Sequence, residues 1–216
     1  MDERYYTRLL YSAVCGALLK NNCDCELPKN CEEAIALCEN VGVKAHYFKR
    51  SNLLPRVKKV LGFLTSVSPV SLLDVGSGRG AFLFPFLEEF PYSKVTSIDI
   101  LPNRVELLEN IANGGVKNLT AFNDDICTYS APDNSFEVVT LLEVLEHIPN
   151  VEKAISNAVR LASKYVVVTV PAEEDDNPEH IRLLTKEILT DYFNARGVSR
   201  LSFEGVPGHL VMIARI

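Results

Sequence analysis

From Ser68 onward the chain alternates short apolar runs with helical segments, and this alternation limits the possible folds more than any other feature. The predicted strands are Val70–Val75, Lys94–Ile100, Asn118–Asn123, Phe136–Leu142 and Tyr165–Val170. The helices between and after them are Gly80–Phe90, Pro102–Asn113, Val151–Ala162 and Thr185–Ala195. Strand and helix in turn build a mostly parallel, doubly wound α/β sheet with helices on both faces. Arg200–Glu204 and His209–Arg215 are joined only by the turn Gly205-Val206-Pro207-Gly208. That turn is too short for a helical crossover, so these two strands form an antiparallel hairpin near one sheet edge.

Residues 1–66 carry no strand-like alternation. Tyr5–Lys20, Cys31–Asn40 and Asn52–Leu64 place apolar residues at helical spacing, with Leu53, Val57, Val60, Leu61 and Leu64 on one stripe. They are expected to form a helical cap that packs on the 67–216 domain or covers a substrate pocket. Tyr5, Tyr6 and Tyr11 read as core residues or as a clamp on a substrate ring. The opening segment starts with two acids and lacks a small-residue cleavage site, so an amphipathic helix is expected rather than a signal peptide. No apolar run approaches the roughly 18 residues of a membrane span. The expected setting is therefore cytoplasmic, with no membrane partner. Lys and Arg number 22 against 28 Asp and Glu, a net charge of −6 that argues against a chain gripping nucleic acid through its phosphates. Cys23, Cys25, Cys31 and Cys38 lie close in sequence, but C-x-C-x5-C-x6-C is not the paired spacing of a zinc site, and free thiols are expected.

The first strand runs into LLDVGSGRG, which supplies Asp74, then Gly76, Ser77, Gly78 and Gly80 before a helix. Glycines there let the backbone turn tightly and approach a ligand at the carboxyl end of the strand. The second strand closes on SIDI, placing Asp99 where a carboxylate accepts both hydroxyls of a ribose. After the third strand, FNDDIC offers the Asp125 carboxylate to an adenine amino group and the Ile126 amide to the ring. Gly76, Gly78 and Ala81 also fit a nicotinamide-dinucleotide pattern. However, Asp74 stands two residues before the first glycine, where it would repel a pyrophosphate and suit a ligand bearing an ammonium beside a sulfonium.

With these motifs, residues 70–170 resemble a class I S-adenosylmethionine-dependent methyltransferase, most nearly the ubiquinone-pathway type: LLDVGSGRG, SIDI and NDDI in order, then DNSFEVVTLLEVLEHIP. The resemblance implies a Rossmann-like seven-stranded sheet with an antiparallel last strand, and S-adenosyl-L-methionine as cofactor. It implies that Asp74, Gly76, Ser77, Gly78 and Gly80 face the methionine portion. Asp99 and Ile100 would hold the ribose, and Asp125 and Ile126 the adenine. Leu142 and Glu143 would line the path to the acceptor. The implied chemistry is in-line displacement at a sulfonium methyl, with a general base needed only for a hydroxyl or a protonated amine.

Glu143, Glu146 and His147 fall at i, i+3, i+4, and His180 follows the fifth strand at the same sheet edge. These four can hold a divalent metal, and Glu143, His147 and His180 can instead handle protons without one. The cluster also resembles that of small-RNA 3′-end 2′-O-methyltransferases, which use such residues to chelate a metal. His209, in the hairpin, is read as structural. The leading expectation is methyl transfer to a small molecule, at oxygen. The alternatives are a metal-assisted RNA-end methyltransferase, with nucleic acid disfavoured by the charge, and a protein that binds the cofactor without turnover.

Overall fold

The computed structural model describes residues 5–21, 26–174 and 176–216. Cys23 and Cys25 lie outside the described residues, while Cys15, Cys31, Cys38 and Cys127 are free thiols. Seven strands form one sheet: β1 (Ser71–Val75), β2 (Lys94–Asp99), β3 (Leu119–Asn123), β4 (Phe136–Leu142), β5 (Ala162–Pro171), β6 (Arg200–Val206) and β7 (His209–Arg215). Their order across the sheet is β3-β2-β1-β4-β5-β7-β6. The first five are parallel, and β7 inserts antiparallel between β5 and β6. The expected doubly wound sheet with its antiparallel C-terminal hairpin is thus the observed one.

Seven α-helices flank the sheet among the described residues: α1 (Thr7–Lys20), α2 (Cys31–Leu37), α3 (Pro55–Val67), α4 (Leu83–Glu89), α5 (Pro102–Asn113), α6 (Val151–Leu161) and α7 (Lys186–Asn194). Pro55 and Pro102 each sit at the start of a helix, where a missing N–H costs nothing. Asn30, Asn150 and Thr185 cap α2, α6 and α7 by accepting from backbone amides of the first turn. One strand differs from expectation. β5 begins at Ala162, directly after α6, because Phe136 of β4 pairs with Ala162 ahead of the main register and draws the chain into the sheet early.

Alternation along each central strand sends residues to two cores. Leu72, Val95, Val138, Val167 and Val211 pack under α1 to α5. Leu73, Ile98, Val139, Leu141, Val166, Val168 and Met212 pack under α6 and α7. The first of these cores contains Leu9, Leu10, Ala13 and Val14 of α1, Val57, Val60 and Leu64 of α3, and Phe84 and Phe86 of α4, so the N-terminal helices share apolar contacts with the sheet. Tyr6 is 1% exposed and packs edge-on to Phe84. It is a core residue, not a clamp. A short 3-10 turn over Ala45–Phe48 inserts Phe48 against the same ring.

α1 seats on α5 through main chain. A Cβ at Gly16 would fall 1.9 Å from the Asn110 carbonyl oxygen, and one at Gly114 would fall 1.8 Å from that of Ser12. These two glycines, each four residues after its counterpart's partner, let the helices touch backbone to backbone. Gly16→Val is therefore expected to destabilise the fold by about 1–3 kcal/mol, the cost of overpacking. At about 2–4 °C per kcal/mol for a chain of this size, the melting temperature read by circular dichroism should drop by several degrees.

Candidate functional site

The carboxyl ends of β1, β2, β4 and β5 carry a row of buried polar side chains on the face beneath the N-terminal helices. Asp74 of β1 lies directly opposite Ser97 of β2 and Thr140 of β4 in register. Thr140 Oγ1 donates to Asp74 Oδ1 at 2.7 Å, and Ser77 Oγ donates to Oδ2 at 2.5 Å. Ser77 Oγ also stands 2.6 Å from Ser97 Oγ. Asp74 is only 2% exposed, and among the described residues no cation lies within 4.0 Å of it. Burial pushes its carboxyl up to about 6, although the Ser77 and Thr140 hydrogen bonds oppose the shift.

The glycine loop folds over this carboxylate. Gly76, Gly78 and Gly80 all have positive φ, at +65°, +55° and +79°. A Cβ on Gly76 would also meet Val144 Cγ2 at 2.7 Å. Gly80 also has a packing role. A Cβ there would fall 2.5 Å from the Phe84 ring, so this glycine serves the seating of α4. It is not among the residues lining the adjoining cavity. The Gly78 amide donates to Asp99 Oδ2 at 3.1 Å, and the Leu101 amide donates to Oδ1 at 2.9 Å, so both carboxylate oxygens are fixed at the end of β2. Ile100 beside it is exposed. Asp125 is exposed, with Oδ1 accepting from the Cys127 amide at 2.8 Å, and Ile126 is buried in the core beneath α6.

A cavity of about 190 Å³ adjoins the glycine loop, and Asp99, Ile100, Asp125 and Ile126 are not among its lining residues. It is lined by Asp74, Gly76, Ser77, Gly78, Leu142 and Glu143, all expected from the sequence, and by Arg56, Val57, Arg79, Ala81 and Phe82. Sequence reading missed Arg56, which stands at the start of α3 and brings a cation to the same space as Asp74. Only the apolar stripe of α3 was visible in the sequence, and Arg56 lies off it. Tyr47 was missed as well. Lys44, Arg79 and Arg104 gather around its ring at 5.7, 5.4 and 5.2 Å, and the Arg104 guanidinium lowers its phenol below the usual range.

Glu143 leaves β4 in the left-handed region, with φ +58°, a conformation that costs a non-glycine residue about 1–2 kcal/mol. Its amide donates to the Thr169 carbonyl at 2.9 Å, and its Oε1 accepts from Thr169 Oγ1 at 2.7 Å. Its Oε2 lies 3.0 Å from His209 Nδ1. The expected four-residue metal cluster is thereby corrected. Glu143 is committed to β5 and β7, whereas Glu146, His147 and His180 come together without it. One ligand atom from each of those three lies within 4.8 Å of the others. His147 Nδ1 is 2.9 Å from the Glu179 carbonyl, and the two imidazole centroids are 4.8 Å apart. None of these three residues lines the cavity.

A family model described as a methyltransferase domain matches residues 45–202. The chain belongs to that family. Ajmaline N-methyltransferase from Rauvolfia serpentina is 26% identical over 129 residues, 55% of this chain and 44% of that protein. Ubiquinone biosynthesis O-methyltransferase from Rickettsia felis is 31% identical over 104 residues, 48% of this chain and 41% of that protein. The chain thus spans less than half the length of these curated relatives. A SAM-dependent methyltransferase from Aquifex aeolicus shares the fold, with a TM-score of 0.60 at 22% identity over 77% of this chain and 93% of that one. The family match stops before β7, so His209 lies beyond it.

The buried Asp74 gives this methyltransferase-family domain an unusual stability signature. Its folded carboxyl lies above its ordinary 3.8, so between 3.8 and about 6 the native state holds a proton that the unfolded chain has released. Stability from this group is present at low pH and is lost as pH rises through that window. Relative to wild type, Asp74→Asn should therefore gain on the order of 2–3 kcal/mol between pH 4 and pH 7. Urea unfolding of both proteins at the two pH values checks this.

Proposed function

We propose that this chain is an S-adenosyl-L-methionine-dependent methyltransferase acting at oxygen on a small-molecule acceptor. The observation that carries the reading is the pairing of charges in one small cavity: a buried Asp74 carboxylate with no cation of its own, and the Arg56 guanidinium on the same wall. This set fits an α-amino acid bearing an additional positive charge. Asp74 would hold the cationic end, and Arg56 the carboxylate. The two oxygens of Asp99, already oriented by backbone amides, would take the ribose hydroxyls, and Asp125 with the Ile126 amide would read the adenine.

When bound, the donor supplies a methyl group already activated by positive sulfur, so the protein's work is positioning and exclusion of water. Val57 and Phe82 line the cavity from α3 and from the turn before α4, giving it apolar walls on the cap side. Among the described residues, no helix is long and apolar enough to cross a membrane. The relatives whose names give a methylated atom type include both oxygen and nitrogen acceptors. Oxygen is favoured here because a histidine beside a carboxylate, His209 with Glu143, stands at this sheet edge and suits removal of a hydroxyl proton.

Calorimetry tests the reading. S-adenosylhomocysteine should bind saturably to the wild type, and Asp99→Ala should weaken binding by about 10–100-fold, the worth of one or two hydrogen bonds to a charged group. Absence of heat with folded wild type overturns the reading.

The convergence of Glu146, His147 and His180 favours a second reading in which a divalent metal assists the acceptor side. The cation would be held by one carboxylate oxygen and two imidazole nitrogens, a set suited to Zn²⁺ or Fe²⁺, and would polarise a bound oxygen. Ligand atoms around such an ion stand about 3.0–3.4 Å apart, so the group would have to tighten from its present 4.8 Å. Zn²⁺ titration should give one equivalent bound to wild type and none to His147→Ala/His180→Ala. Equal binding to both proteins would remove this reading.

A further inference from the structure

His209, Glu143 and Arg56 form an arrangement that the family pattern does not account for. They come from β7, the loop after β4 and the start of α3; Arg56 and Glu143 line the donor cavity, and His209 contacts both without itself lining it. His209 Nε2 is 3.3 Å from Arg56 Nη1, and its Nδ1 is 3.0 Å from Glu143 Oε2. The Nδ1 atom is buried and makes no hydrogen bond, so its 3.0 Å approach to Oε2 is a close contact only. Arginine only donates, so the nitrogen facing Arg56 must carry the lone pair and the ring proton must sit at Nδ1, toward the carboxylate. Glu143 is itself fixed by Thr169 Oγ1 at 2.7 Å and by its strained backbone. A carboxylate therefore stands beside an imidazole whose other nitrogen faces a guanidinium that also lines the cavity.

The same face leads outward from His209. Val206 pairs with His209 across the hairpin, and Val211 is the next residue of β7 on that side. Both line a groove of about 590 Å³ between the hairpin and α3, walled by Phe63 and Ile213 and flanked by Lys58. That volume lies within the range of small-molecule sites.

We propose that His209 is the proton acceptor for methyl transfer and that the acceptor is an apolar-bodied molecule with an ionisable hydroxyl, entering along the groove under α3. The assignment rests on the donor reading above. Arg56 covers Nε2 in the free protein and turns to the carboxylate of the bound donor. The acceptor's O–H proton then passes to Nε2. The oxygen forms the new bond to carbon, the carbon–sulfur bond breaks, and its electron pair stays on sulfur. The positive charge ends on the imidazolium, beside Glu143. Glu143 is a positioning residue in this scheme. The charged groups around the ring are Glu143, Arg56 and, farther along the groove, the Lys59–Glu204 pair.

Long-range ¹H–¹⁵N spectra of the histidine rings in the full chain test the proposal. His209 should show the Nδ1–H tautomer, and S-adenosylhomocysteine should shift its Nε2 as Arg56 leaves. Glu143→Gln, read in the protein without S-adenosylhomocysteine, should change the tautomer balance of His209. Failure to bind S-adenosylhomocysteine at all sinks the donor reading. Binding that leaves Nε2 unmoved, or an Nε2–H tautomer in the wild type, overturns the role of His209 alone. With catechol and the more acidic 4-nitrocatechol as probe acceptors, His209→Gln should lose about 100-fold or more in rate, and lose more on catechol, which depends more on a base. Equal losses on the two probes, or none, would also overturn it, because a purely structural role would not follow acceptor acidity.

Discussion

The structure is organised around one negative charge at the centre of its sheet. Asp74 sits where β2, β1 and β4 run side by side, and hydroxyls from the strand on one side and from the glycine loop donate to it, with Ser97 beside the loop hydroxyl. An isolated carboxylate in such a place is costly, and its elevated pKa records that cost. The hydroxyls reduce the cost without removing it, which leaves the site tuned to a positively charged visitor. The loop conformation follows from the same constraint. Ser77 can reach Asp74 only if the chain turns back immediately after β1, and the left-handed Gly76 and Gly78 permit that turn.

The strands, the hairpin and most helix bounds were legible because their signals are local: a period of two or of 3.6, a proline at a helix start, a glycine at a turn. The grouping of Asp74 with Ser77 was legible for the same reason, since both lie within a few residues of the glycine loop, and Asp99 was legible from its place at the end of the second strand. The packing of Gly80 against Phe84 has no signal in its sequence context, which matches a ligand-facing glycine.

The contacts among distant segments were largely illegible. Arg56, Glu143 and His209 are separated by more than sixty residues at each step, and only the insertion of β7 beside β5 brings them together. The helical spacing of Glu143, Glu146 and His147 pointed to one shared face, but the segment is not a regular helix. The left-handed turn at Glu143 sends that residue toward β7 and leaves the other two with His180. Tyr47 and its three cations are likewise drawn from three separate segments, Lys44 and Tyr47 sharing one turn.

The seating of α1 on α5 has an evolutionary corollary. Where two side chains oppose each other, a larger residue on one helix can be offset by a smaller one on the other. Opposite Gly16 and Gly114 there is only main chain, which nothing can trim. α5 starts three residues after Asp99 and carries Arg104 against Tyr47. Descendants of this sequence can therefore drift widely along the outer surface of α1, but they can abandon either glycine only by re-spacing the two helices and shifting Arg104 and its contact with Tyr47 along with them.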